Sequence, residues 1–130
     1  EIFIYWAEPE PGKQRALEAL GATVIALPNP QGKVDLKAML HDLARREVNE
    51  LHLEAGHKLN GSWVREGLVD ELLLYLAHTL LGTGSMGMAG FGPLQALNEG
   101  LALAFQSVDP VGDDLRIVAR VRGRDGFLRA

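Results

Sequence analysis

The 130 residues are 47% hydrophobic and 23% charged, with a formal net charge of −4. That balance belongs to a folded domain with a sizeable core rather than to a disordered chain, and it gives no electrostatic reason to expect nucleic acid or an anionic membrane as a partner. The absence of cysteine excludes a disulfide framework and a thiolate zinc site, and it fits the cytoplasm.

No apolar run is long enough to cross a bilayer, and the first residues show neither the basic start nor the cleavage site of a signal peptide. Residues 2–7, IFIYWA, form a β-branched and aromatic run that reads as a buried strand. A core strand so close to the first residue suggests that further chain precedes it. Glu8 to Gly12 mark a loop, after which Ala16, Leu17 and Leu20 share a helical face that Gly21 ends. Thr23 to Leu27 read as a second strand, so strand, helix and strand predict a parallel pair with a right-handed crossover. Beyond the Pro28 to Gly32 loop, Asp35 is placed to cap a helix whose Leu36, Met39, Leu40 and Leu43 form one apolar face. Arg45 and Arg46 near its end suit the negative pole of the helix dipole and read otherwise as a solvated terminus.

The informative stretch is residues 49–76. Leu51 to Glu54 read as a central strand, Gly56 as the sharp turn into a short helix, Gly67 as its stop, and Val69 to Ala77 as the next strand. The leading N–H groups of a helix lack intrahelical partners and lie at its positive pole, so Gly56 to Ser62 form a candidate seat for a phosphate or pyrophosphate. Glu54 stands at its mouth, where a carboxylate could read a ligand hydroxyl. Gly82 to Pro93, with five glycines, should be irregular. Leu101 to Asp109 and Asp114 to Arg122 predict an antiparallel hairpin, with Ile117, Ala119 and Val121 on one side and Arg116, Val118, Arg120 and Arg122 on the other. Gly123 to Ala130 read as a polar tail.

Glu54, Ala55, Gly56, Leu59, Gly61, the run Gly67 to Glu71, Leu80 to Gly82 and the later Val111 to Leu115 follow one another in an order that resembles the C-terminal reductase domain of the bifunctional riboflavin-biosynthesis deaminase/reductase family. The resemblance implies a dihydrofolate-reductase-like α/β fold, with a mixed, mostly parallel central sheet and a C-terminal antiparallel hairpin. It also implies NADPH as cofactor and reduction of the ribosyl group of 5-amino-6-(5-phosphoribosylamino)uracil to the ribityl product. By the same resemblance Gly56, His57, Lys58, Leu59, Asn60, Gly61 and Ser62 contact the cofactor phosphates, Glu54 contacts the pyrimidine ribosylamine phosphate substrate, and the protein is a homodimer. Ala55 is a variant of the motif, and Trp6 and Ala7 stand where the family shows a hydroxyl-bearing strand end. The family's earlier reductase segments and its deaminase domain are absent from these residues, so residues 1–130 are expected to be the C-terminal part of one reductase domain, weak or inactive alone.

Other signals carry less. Gly82, Gly84 and Gly87 spell the dinucleotide fingerprint, but Gly90, Gly92 and Pro93 break the helix that the fingerprint requires, which leaves a loop bordering the site. His52 and His57 flank Glu54 without metal-site geometry, and no metal is expected. His41 and Asp42 point apart on their helix and form no dyad, and Ser85 has no nearby base. Asp70 and Glu71 read as cap and turn residues rather than an acid pair. No general acid stands out. A related reductase of a pterin-type substrate, or a dimerisation module without catalysis, would share these features.

Overall fold

The computed structural model describes residues 1–124 and Gly126, and the chain divides into two compact α/β units, Glu1–Leu53 and Glu54 onward.

In the first unit, β1 (Ile2–Trp6), α1 (Pro11–Ala19), β2 (Ala22–Ala26) and α2 (Leu36–Arg45) follow in order. The strands β1 and β2 pair in parallel from Ile2↔Ala22 to Trp6↔Ala26, as strand, helix and strand predict. Pro11 opens α1, earlier than the loop reading placed its start, because its fixed φ suits the first helical position, where no N–H is needed. Leu20, expected on the buried face of α1, is its C-cap and 82% exposed. Asp35 caps α2 by accepting from Ala38 N at 2.9 Å, and Leu36 and Leu43 are buried.

The end of α2 is more than a solvated terminus. Asp42 is only 9% exposed, and its carboxylate accepts from Arg46 Nε at 2.8 Å, Tyr5 OH at 2.8 Å and Arg45 Nη2 at 3.1 Å. The Arg46 hydrogen bond, followed by that of Tyr5, holds the Asp42 carboxyl down at about 2 against the opposing effect of burial. The Arg46 guanidinium also lies 4.5 Å from the centroid of the Phe3 ring. One carboxylate therefore ties the end of α2 to β1. Just beyond it, Glu47 holds a left-handed φ of 65°, with Val48 N on Leu43 O and Glu47 N on Ala44 O closing a Schellman motif.

Leu51 to Glu54 form no strand, which corrects the expectation of a central one. An apolar Leu-x-Leu pattern becomes a strand only when a neighbouring edge accepts its hydrogen bonds, and here Leu51 and Leu53 remain exposed.

The second unit contains α3 (His57–Arg65), β3 (Glu71–Leu76), β4 (Leu103–Val111) and β5 (Asp114–Val121), with a short 3₁₀ turn at Leu97–Glu99. Gly67, at φ 65°, stops α3 as expected, and the bonds Leu68 N to Trp63 O and Gly67 N to Val64 O complete its cap. Strand β5 lies between β3 and β4, antiparallel to both. The expected single, mostly parallel sheet is thus corrected to a two-stranded parallel sheet and a three-stranded antiparallel one. The predicted hairpin turn tightens to Gly112 and Asp113, because Pro110 and Val111 pair with Leu115 and Asp114, and Gly112 supplies the positive φ of a short turn. A bulge at Gln106 separates Phe105 from Ser107 in the register.

The register puts Leu72, Leu74, Phe105, Val108, Ile117, Ala119 and Val121 on one face, and there Ala119 and Val121 are buried. The opposite face carries the ion pairs Arg120 with Glu71 at 3.1 Å and Arg116 with Asp109 at 2.9 Å. The polar tail expected at 123–130 lies largely outside the described residues.

Candidate functional site

Gly56 is the N-cap of α3, with φ −82° and ψ 169°. That is ordinary extended backbone, so the turn does not require glycine, contrary to the rationale drawn from the sequence. What glycine leaves is open space, since among the described residues none beyond its chain neighbours lies within 4 Å of where a Cβ would stand. Gly56 offers no side chain to cap the first turn, and that turn contains no acidic residue. The leading amides, those of Gly56, His57, Lys58 and Leu59, therefore stand at the positive pole of α3, whose first turn also carries the exposed Lys58. An anionic group such as a dinucleotide phosphate fits this chemistry. Glu54 lies exposed two residues ahead of the cap.

The other predicted seat residues are used differently. Asn60 N already bonds Gly56 O at 3.0 Å, and its side-chain Nδ2 donates to Met88 O at 2.9 Å. Ser62 Oγ donates to Lys58 O at 3.3 Å and accepts from Arg65 Nη2 at 3.1 Å, so its hydroxyl is engaged along the helix. Gly61 is buried against the glycine-rich loop, and an added Cβ would stand 2.7 Å from Gly90 N and closer still to the Gly90 carbonyl. His57 Nδ1 lies 2.6 Å from Gly87 O, while Gly90 N donates to His57 O at 3.0 Å. A carbonyl only accepts, so Nδ1 of His57 carries the proton.

The two glycine clusters that the sequence presents separately thus meet in space. One signal for this was available: a glycine inside a helix costs about 1 kcal/mol relative to alanine, so Gly61 in α3 marks the close approach of another backbone. Asp70 and Glu71, read as cap and turn residues, are each paired with an arginine, Arg124 at 2.9 Å and Arg120 at 3.1 Å. Asp109 is held below its ordinary value chiefly by the hydrogen bond from Arg116.

A family model described as the RibD C-terminal domain matches residues 2–117. This chain belongs to that family. The riboflavin biosynthesis protein RibD of Escherichia coli strain K12 is 32% identical over 91 residues, which are 70% of this chain and 25% of that protein. A protein of Buchnera aphidicola subsp. Acyrthosiphon pisum (strain APS) named 5-amino-6-(5-phosphoribosylamino)uracil reductase is 27% identical over 86 residues, 66% of this chain and 42% of that protein. The solved structure of Acinetobacter baumannii RibD, form 2, superposes with a TM-score of 0.77 at 22% identity, covering 92% of this chain and 30% of that one. The RibD likeness establishes the α/β class and the dihydrofolate-reductase-like fold. The chain itself spans well under half the length of these relatives.

Proposed function

We propose that this chain is the C-terminal part of a reductase domain that uses NADPH to reduce the ribosyl group of 5-amino-6-(5-phosphoribosylamino)uracil to the ribityl product, in the cytoplasm and as a homodimer. Membership of the RibD C-terminal domain family supports the reductase class, and the name of the Buchnera relative supports the substrate. The observation that carries the reading onto this chain is the open, uncapped start of α3 at Gly56, a cationic seat within the family-matched residues.

The cofactor would supply a hydride to the ribose C1 carbon, the imine carbon of the ring-opened substrate, while the attached nitrogen takes a proton from solvent. The chain's share is placement. Amides of Gly56 to Leu59 and the Lys58 ammonium hold phosphate, and Glu54 accepts a substrate hydroxyl, so that orientation rather than a strong acid lowers the barrier. Turnover by these residues alone is expected to be weak or nil. What supports the homodimer is the apolar sheet face, which carries the exposed Phe105, Leu76, Val108 and Leu115.

Titration with NADPH and NADH, followed by tryptophan emission, tests the seat, because Trp63 stands on the same helix and is buried. Saturable NADPH binding that Gly56→Val removes without unfolding is expected, since among the described residues a Cβ at Gly56 meets none beyond its chain neighbours within 4 Å. Failure of both nucleotides to bind would defeat the assignment of the seat to this chain.

A further inference from the structure

The segment from Gly82 to Gly92 begins and ends on glycines of positive φ, 73° and 92°. Such residues let a chain enter and leave a tight excursion without strain. Between them the segment is tied to α3 by three hydrogen bonds: Gly87 O to His57 Nδ1, Met88 O to Asn60 Nδ2, and Gly90 N to His57 O. Contact is close enough that both backbones must be bare. A Cβ on Gly61 would enter the Gly90 peptide, and a Cβ on Gly90 would stand 2.9 Å from Cδ2 and 3.0 Å from Cε1 of the His57 ring. Carbonyl oxygens beside a helix N-terminus compete with an anion for the same positive pole. Here the Gly87 and Met88 carbonyls are instead held by side chains of α3, so neither is spent on its leading amides.

We propose that His57 and Asn60 are positioning residues: they fasten the 82–92 loop along α3 as a fixed wall of the nucleotide seat, and they do so through Gly87 and Met88 rather than by touching phosphate. This rests on the nucleotide reading above. It separates the run from Gly56 to Ser62 into amides that face the ligand and side chains that hold the loop. The loop is thus part of the seat without being a dinucleotide fingerprint.

His57→Ala and His57→Asn distinguish the roles, because the asparagine amide nitrogen takes the place of imidazole Nδ1 and can still donate to Gly87 O. Two readouts are needed on the full chain: amide hydrogen exchange across residues 87–92 without nucleotide, and NADPH affinity. His57→Ala is expected to raise exchange at Gly90 at least tenfold and to weaken NADPH binding about tenfold, while His57→Asn stays within twofold of the parent in both. Gly90→Ala should reproduce the alanine phenotype, and a His57→Ala background should relieve the added cost of that methyl. Equal behaviour of His57→Ala and His57→Asn, in exchange or in affinity, overturns the positioning role. If the parent chain binds no NADPH while the exchange pattern holds, the nucleotide reading fails and the wall function falls with it, although the fastening stands. Unchanged exchange in His57→Ala, with intact NADPH binding by the parent, leaves the seat standing and removes the fastening.

Discussion

Replacing Gly61 by alanine sets two known effects against each other. In a helix free of neighbours, Gly→Ala stabilises by about 1 kcal/mol through reduced backbone entropy in the unfolded chain. Here the added methyl would lie 2.7 Å from Gly90 N and closer to its carbonyl, and the obstacle is backbone, which cannot swing aside as a side chain end would. The loop must move, and with it the bonds from His57, Asn60 and Gly90. At about 1 kcal/mol net for each hydrogen bond, losing all of them costs roughly 3 kcal/mol, and the helix gain offsets about one. The expected outcome is a net destabilisation of about 1–2 kcal/mol.

Urea unfolding followed by emission of Trp63, which is 3% exposed, measures it, with Trp6→Phe in the background so that only the second unit reports. Gly56→Ala is the control, since among the described residues none beyond its chain neighbours comes within 4 Å of its Cβ position, and it should lose no more than about 1 kcal/mol as a weaker N-cap. A Gly61→Ala chain as stable as its parent, or more so, would show that the loop yields freely and that the close approach is not a packing constraint.

Three further outcomes follow from the geometry. Glu47 occupies a left-handed conformation at φ 65°, so Glu47→Gly should raise stability by about 0.5–1 kcal/mol, read as a higher urea midpoint of Trp6 emission. Asp42 has a folded value of about 2 against 3.8 for the free side chain. Its contribution is therefore complete above 3.8 and lost as pH falls through about 2, and the parent should lose stability more steeply over that window than Asp42→Asn, as followed by circular dichroism. Arg116→Gln should let the Asp109 carboxyl rise towards its ordinary value, visible in a carbon-detected NMR titration, with little loss of stability because both partners are half exposed.

Local signals fixed much of this chain. The β-branched run at Ile2 to Trp6, the Asp35 cap, the glycine stops at Gly21 and Gly67 and the alternation through Ile117, Ala119 and Val121 each specify backbone conformation or a buried face within a few residues, and each stands in the structure. Leu51 to Glu54 had the composition of a strand but found no edge, because pairing is decided by distant chain. The same limit applied to the sheets, whose division into one parallel and one antiparallel set depends on which strands meet.

At the candidate site, residue order carried the family resemblance and marked Gly56 as the start of a candidate seat, since both are properties of contiguous sequence. Only tertiary structure decided that Gly61 faces Gly90, that His57 and Asn60 spend their side chains on loop carbonyls, and that Tyr5 joins Asp42, whose pairs with Arg45 and Arg46 are ordinary neighbours one helical turn away. Partners separated by some thirty residues leave no periodicity in the sequence. Their meeting follows from how the chain folds back, and that is set by packing rather than by any local preference.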